Sequence, residues 1–212
     1  MATAAPTTAT PTGSMLAVVR RWQAGDYQQT VATLGRRLPL GWDPTAERGT
    51  AGYDVVLATP RTLTALGWFL VERRPEVTEA INRAHAEASS AVAVELAVAV
   101  GAHAPTFVDH CYDSARQPWL HTHLLYGALV ATDDGFKPVG AALVAEQATL
   151  HIWGYHLLLR RAVIELVREL DLRWAPAAED GCCEVLGLPT RVLQAVEEPC
   201  RPLSEIAACR LE

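Results

Sequence analysis

Three β-rich runs stand between two long helical segments, and this arrangement constrains the fold more than any other feature of the chain. The runs are "APTFVDHCY", "WLHTHLLYGALVA" and "GFKPVGA", and the turn-forming sequence "DDG" precedes the third. Pro75 and the good helix formers after it predict a helix from about residue 75 to residue 100. A second long helix is predicted over residues 143–170. The three runs together predict an antiparallel meander.

The remaining segments complete the predicted fold. Past Met15 the sequence predicts a short strand and then a helix with Asp26 as its N-cap. The run "YDVVLATP" predicts a strand, and "RTLTALGWFLVERR" predicts a helix that is interrupted at Gly67. Residues 172–175 are predicted to pair with residues 183–186 as a hairpin. This order predicts an α+β fold with a central, mainly antiparallel sheet and long helices packed on one face.

The length and composition indicate one folded domain. The 212 residues, half of them hydrophobic, suffice for a single large buried core. Residues 1–14, "MATAAPTTATPTGS", are rich in alanine, threonine and proline and predict a disordered leader, not a secretion signal. The folded domain is expected at residues 15–212. No window reaches the roughly 18 consecutive apolar residues of a membrane span, so we expect a soluble protein without membrane insertion.

The cysteines and the net charge bear on the cellular environment and on the partners. The five cysteines are odd in number and show no CxxC spacing, which argues against a disulfide framework and favours a reducing cytoplasm. The net charge of -6 weighs mildly against a nucleic-acid partner, because affinity for phosphate backbones depends largely on clustered cations.

Three histidines within "HCYDSARQPWLHTH" are candidate metal ligands. His121 and His123 are separated by one residue, so in a strand their side chains point to the same face. His110 lies eleven residues before His121, and a hairpin turn in "DSARQP" would place it on the neighbouring strand beside the other two. Three neutral imidazoles form an open ligand set that suits Mg, Mn or Zn.

The alternative is that these histidines are exposed or fill a core. An isolated HxH pair favours that interpretation, and the third histidine at hairpin spacing favours the metal. The other four histidines lie on or near the long helices and are predicted to be surface or packing residues: His85, His103, His151 and His156. A metal held by three histidines would polarise a phosphoryl or carbonyl oxygen, but a nucleophile would still be needed.

The segment "HCYDSARQPWLHTH" resembles the three-histidine motif of MobF-type conjugative relaxases, which are members of the HUH endonuclease superfamily. In that family a histidine precedes "P-x-L-H-T-H" at the same spacing. Upstream, "GYDVVLATPRTLTALGWFL" is similar to the family's strand-to-helix element, and downstream "FKPVGAALVAEQATLHIWGYHLLLRRAVIELVRELDLRW" is similar to its last β-turn and long helix. The resemblance covers about residues 52–196, with a weaker match over residues 15–35, and implies a relaxase-like domain over residues 15–212.

This resemblance implies site- and strand-specific nicking of single-stranded or hairpin DNA at an origin of transfer, in conjugative transfer of a plasmid or mobile element. His110, His121 and His123 would hold a divalent ion that withdraws charge from the scissile phosphate. Tyr27 would supply the nucleophilic hydroxyl and form a 5′-phosphotyrosine bond. Asp54 stands at the position of the family's carboxylate that orients or deprotonates the tyrosine. A separate helicase or conjugation accessory proteins are the implied protein partners.

Two other functions stay open from the sequence. Because Gln28 follows Tyr27 where the family has a second tyrosine, the chain is alternatively a catalytically degenerate DNA-binding or accessory protein on the same fold. A third hypothesis is a metal-dependent hydrolase that uses the three histidines with an activated water. Without the family, Asp54 is equally well explained as a cap at the start of a strand.

Overall fold

The computed structural model describes residues 19–23, 50–113, 116–178 and 181–197 of the chain. At its centre lies a four-stranded antiparallel sheet in the order β1-β2-β4-β3. The strands of this sheet are β1 (Val19–Gln23), β2 (Thr50–Ala58), β3 (Thr106–Tyr112) and β4 (Pro118–Gly127). β2 and β4 therefore occupy the two inner positions, where both edges of each strand are paired.

Two long helices pack together over one face of this sheet. The helices of the described chain are α1 (Arg61–Leu70), α2 (Pro75–Val100), α3 (Ala141–Glu169) and α4 (Thr190–Glu197). Alternate side chains of β2 and β4, including Tyr53, Val55 and Tyr126, join α2 and α3 in one buried apolar core. The predicted α+β fold, a mainly antiparallel sheet with long helices on one face, is confirmed.

The third β-rich run does not join the central sheet, so the predicted three-stranded meander is wrong. β3 and β4 form the predicted hairpin, but β4 pairs with β2 on its other side. The nine-residue β2, buried along nearly its whole length, is a longer apolar partner for β4 than the exposed third run.

The chain leaves the central sheet at Ala128. The Ala128 amide donates a hydrogen bond to the Ala51 carbonyl oxygen (3.1 Å), and its own carbonyl accepts one from the Val139 amide (2.7 Å). Beyond this bend, β5 (Leu129–Thr132) and β6 (Gly135–Pro138) form a separate two-stranded sheet. The predicted run "WLHTHLLYGALVA" is therefore two strands, not one.

The two long helices closely follow the prediction, while α1 differs from it. α2 spans the predicted residues and ends at Gly101, whose left-handed φ of 67° suits glycine. α1 ends at Leu70, before the expected end near residue 74. Gly67 does not interrupt α1. A Cβ at this position would lie 3.4 Å from Ile81 Cδ1 of α2, which is about an ordinary contact distance.

The last predicted hairpin is present, as β7 (Arg173–Trp174) pairs with β8 (Val185–Leu186). Three predictions fall outside the described residues: the leader at residues 1–14, the start of the domain at residue 15 and the helix after Asp26. Among the helices of the described ranges, none combines the length and the apolar character needed to cross a membrane.

Thr62 joins α1 to β8, and its loss should destabilise the domain. Its hydroxyl donates to the Glu184 carboxylate and accepts from the Val185 amide (2.7 Å). Thr62→Val should lower the free energy of unfolding by about 1–2 kcal/mol, because a backbone amide loses its hydrogen-bond partner. Urea denaturation measures this loss. Thr149→Val, at an exposed helix position, is the control, and an equal loss there would contradict the prediction.

Candidate active site

β3 and β4 place the three histidines on the face of the sheet opposite the long helices. His110 pairs with His121 across the two strands, and His123 follows two residues later on β4. Because side chains alternate along a strand, all three project from the same face. Their ring centroids lie 5.1–5.2 Å apart in every pair. The structure thus brings together the three residues that the hairpin spacing groups in the sequence.

Hydrogen bonds fix the tautomers of the two β4 histidines. The Nδ1–H of His121 donates to the carbonyl oxygen of Trp119 (2.9 Å). The Nδ1–H of His123 donates to the carboxylate of Asp54, with distances of 2.9 and 3.0 Å to its two oxygens. In a neutral ring with its proton on Nδ1, the lone pair is on Nε2. Hydrogen bonds of this kind accompany histidines that bind metals through the other nitrogen.

Burial favours the neutral form of two of the three histidines, His110 and His121. Desolvation lowers the pKa of His121 to about 4, although its hydrogen bond to the Trp119 carbonyl partly opposes the shift. Desolvation also lowers the pKa of His110, with a smaller contribution from the neighbouring His123. The deprotonated form of histidine is the one that binds metal ions, so near neutral pH these rings are in the ligand form.

Three imidazoles are chemically suitable ligands for a divalent ion, but their rings are not arranged as they would be around a bound metal. Within the described ranges, no group of three or more histidine, cysteine, aspartate or glutamate side chains is placed so that it could hold an ion. The His110 and His121 rings are stacked, with an interplanar angle of 19°, whereas ligands of one ion turn a nitrogen toward it. Hydrogen bonds hold the His121 and His123 rings, so a closer arrangement would require the His110 ring to turn about its broad terminal torsion. As a set of donors, three imidazoles on adjacent strands suit a divalent ion.

Asp54 does not cap the start of a strand, because it lies in the middle of β2 and is fully buried. Val56 of β2 pairs with His123, so the two side chains lie on the same face of the sheet. Asp54 is two residues before Val56 and therefore lies on that face as well. A buried carboxylate requires a hydrogen-bond donor, and His123 supplies one. Asp54 therefore orients the His123 ring, a contact between residues 69 positions apart that no spacing in the sequence reveals.

The predicted nucleophile, Tyr27, lies outside the described residues. The hydroxyls of Tyr53, Tyr126 and Tyr155 form hydrogen bonds within the core on the helix side of the sheet. Tyr112, at the end of β3, packs edge-on against a tryptophan of α1. Of the tyrosines in the described ranges, Tyr112 is thus the one to compare experimentally with Tyr27.

An aromatic ring and a cation border the histidines, and neither is among the site residues predicted from the sequence. The Trp119 and His121 ring centroids lie 4.9 Å apart, and the guanidinium of Arg61 lies 4.7 Å from the Trp119 centroid. Arg61 also pairs with Asp113, at the end of β3, at 2.9 Å. Trp119 precedes His121 by two residues, so the period of two along β4 was a signal that could have identified it.

Comparison with known proteins first defines the class of fold. No protein-family model matches the sequence, and no curated protein matches it. Among solved structures, the chain aligns over 92% of its length with structures of a conjugative relaxase. The chain therefore has a relaxase-type fold, as the sequence resemblance implies.

Several of the similar structures are of TrwC. TrwC complexed with a 27-mer DNA comprising the recognition hairpin and the cleavage site aligns with a TM-score of 0.60 and 14% identity, over 92% of this chain and 83% of that chain. A metal-free complex of TrwC with oriT DNA aligns with a TM-score of 0.59 and 14% identity, over 92% and 84%. A metal-bound complex aligns with a TM-score of 0.53 and 16% identity, over 83% and 63%. Because the sequence identities to TrwC are this low, the structural similarity establishes the fold alone.

Proposed function

We propose that this chain is a metal-dependent relaxase-like protein that nicks single-stranded or hairpin DNA at an origin of transfer. The observation that carries the proposal is the cluster of His110, His121 and His123 beside the buried Asp54 on one face of the sheet. The TrwC structures that share this fold contain oriT DNA, and some contain a metal. These complexes support DNA and a divalent ion as partners of this chain.

His110, His121 and His123 would hold the ion, which we expect to be Mg, Mn or Zn. When bound, it would withdraw negative charge from an oxygen of the scissile phosphate. The protein prepares the ligands in two ways. Asp54 and the Trp119 carbonyl hold two of the rings by their Nδ1–H groups, and burial keeps His121 neutral at physiological pH.

Tyr27 is the proposed nucleophile. Its phenolic oxygen would bond to phosphorus while the bond from phosphorus to the 3′-oxygen breaks, which leaves a 5′-phosphotyrosine and a 3′-hydroxyl. The phenolic proton passes to a base, for which Asp54 is the candidate, and the departing 3′-oxygen takes up a proton from water. A 3′-hydroxyl that later attacks the phosphotyrosine restores the phosphodiester and releases the tyrosine.

Trp119 and Arg61 supply a surface for a single strand next to the cluster. A base stacked on an aromatic ring gains about 1–3 kcal/mol with little dependence on sequence, and the half-buried Trp119 would offer the accessible part of its ring. The Arg61 side chain is 38% exposed, and its guanidinium lies over the ring while it pairs with Asp113. A phosphate of the strand would take the place of that carboxylate and make one local contact, although the net charge of -6 disfavours binding over the surface as a whole. Strand separation would fall to a separate helicase or accessory protein in the cytoplasm.

The test is the formation of a covalent adduct between protein and DNA. The full chain with Mn²⁺ is incubated with hairpin and single-stranded oligonucleotides from the DNA that flanks its gene, labelled at the 3′ end. The label should migrate with the protein on a denaturing gel, because the tyrosine keeps the 5′ phosphate of the downstream fragment. Tyr27→Phe should abolish this band, and Tyr112→Phe, the matched control, should retain it.

The other outcomes identify the alternatives. An adduct that persists in Tyr27→Phe would contradict the proposed nucleophile. Cleavage without an adduct that survives Tyr27→Phe would indicate hydrolysis by an activated water at the histidine site. Hairpin binding with neither adduct nor cleavage would identify a catalytically degenerate DNA-binding protein on the same fold.

A further inference from the structure

The outer face of α3 carries an apolar stripe that the described part of the chain leaves exposed. Leu143, Leu150, Leu157 and Ile164 recur every seven residues and are 40%, 60%, 67% and 42% exposed. The opposite face of α3 is buried in the core through residues such as Tyr155. α3 is therefore apolar on two sides, and a helix of this kind is usually covered on both.

The spacing of the stripe favours another helix as its cover. Seven residues make almost two turns, so successive stripe residues are displaced by only about 20° around the helix. From Leu143 to Ile164 the stripe extends over about 32 Å of helix length. Apolar residues that keep this spacing are typical of helices packed lengthwise against each other.

We propose that a second copy of this chain covers the stripe, in an antiparallel pair of α3 helices with a two-fold axis between Trp153 and Gly154. In this register Leu150 faces Leu157 of the second copy. One step farther from the axis, Leu143 faces Ile164 of the second copy. All four stripe residues then meet an apolar partner, and the symmetry repeats each contact on the other side of the axis.

The charges beside the stripe select the antiparallel direction. In the proposed register Glu146 faces Arg161 of the second copy. Both side chains are exposed, and among the residues that the structure describes neither forms an ion pair within one copy. A parallel pair would instead place Glu146 opposite Glu146 and Arg161 opposite Arg161. Like charges at such positions oppose association, so the antiparallel pair is favoured.

The centre of the pair has room for a close approach. A Cβ added to Gly154 would meet no atom within 4 Å, so the surface above this glycine is open. The Trp153 ring packs against Gly181 of its own chain and is 46% exposed, and in the pair its exposed part would lie over Gly154 of the second copy. A tryptophan at the centre of an interface, enclosed by apolar contacts, is a typical source of binding energy.

The oligomeric state of the full chain tests this proposal without reference to DNA nicking. Analytical ultracentrifugation over a wide range of protein concentration should show a dimer that dissociates on dilution. The double variant Leu150→Glu/Leu157→Glu should be monomeric throughout, with its fold checked by circular dichroism. Val98→Glu, at a 78% exposed apolar residue of α2, is the matched control and should leave the dimer Kd unchanged.

A charge exchange tests the register. Glu146→Arg alone should raise the dimer Kd by about tenfold, because each copy gains a repulsive contact. The combined variant Glu146→Arg/Arg161→Glu should restore the original Kd. A chain that stays monomeric at every concentration, or a dimer that survives the two glutamates on the stripe, would overturn the proposal. Absence of rescue by the combined variant would overturn the antiparallel register.

Discussion

His123→Ala should remove divalent-metal binding and slow adduct formation with single-stranded DNA by at least about 100-fold. The variant deletes one of three proposed ligands, and two imidazoles hold a divalent ion far less tightly than three. It also leaves the Asp54 carboxylate, fully buried, without its hydrogen-bond donor. The loss of activity should therefore come with some loss of stability, and the two effects need separate measurements.

Thermal unfolding with and without metal separates these effects. An ion that binds only the folded chain raises the unfolding midpoint by mass action. Mn²⁺ or Zn²⁺ should therefore raise the midpoint of the wild type and leave that of His123→Ala unchanged. His151→Ala, a histidine replacement on α3 remote from the cluster, should respond to metal like the wild type. If metal fails to raise the wild-type midpoint at concentrations that support the adduct, the three-histidine site is wrong.

Asp54→Asn distinguishes the orienting role of Asp54 from its proposed role as a base. The asparagine oxygen can still accept the Nδ1–H of His123, so metal affinity should fall by about tenfold. If Asp54 also takes the phenolic proton of Tyr27, the adduct rate at saturating metal should fall by a further factor of about 10² to 10⁴. An undiminished rate at saturating metal would leave Asp54 as a positioning residue only.

The histidine cluster could be predicted because its three residues lie close together in the sequence. The period of two along a strand relates His121 to His123, and the short turn sequence relates His110 to both. The Asp54 contact could not be predicted in the same way. It depends on the register of β2 against β4, and burial of both strands, not local sequence, fixes that register.

The three-stranded meander was predicted wrongly for a similar reason. Apolar character continues through "LLYGALVA", so no change in pattern marks the bend at Ala128. That bend depends on hydrogen bonds to Ala51 and Val139, which come from other parts of the chain. The long helices, by contrast, were predicted to within a few residues because helix-forming sequences, and for α2 the proline at its start, are local signals.

A buried histidine on the helix side of the sheet should make stability depend on pH. The Thr122 hydroxyl donates to Asp109 (2.6 Å), so it accepts the Nε2–H of His85 (2.8 Å). The other nitrogen, Nδ1, then accepts the Tyr155 hydroxyl (2.7 Å). This network requires neutral His85, and burial lowers its pKa to about 4. The sequence predicted a surface or packing residue, and His85 is one of the buried residues between α2, α3 and β4.

The direction of the pH effect follows from this lowered pKa. The folded value lies below the ordinary value of 6.5, so as the pH falls the unfolded chain takes up the proton first. The contribution of neutral His85 is complete above pH 6.5 and is lost progressively between pH 6.5 and 4, by roughly 3 kcal/mol in total. In metal-free protein His121, whose pKa is also lowered to about 4, should add a loss of similar size.

Urea denaturation with a chelator, at about pH 7, 5.5 and 4.5, measures this dependence. His85→Gln should lower the free energy of unfolding at pH 7 by about 1–3 kcal/mol, because the buried Tyr155 and Thr122 hydroxyls lose a well-placed partner. Its stability should then fall less steeply toward acid pH than that of the wild type, since His85 is gone while His110 and His121, whose pKa values are also lowered, remain. Tyr155→Phe, which removes a hydrogen bond but no titrating histidine, should be less stable at every pH with the wild-type slope. Equal slopes for His85→Gln and the wild type would contradict the assignment.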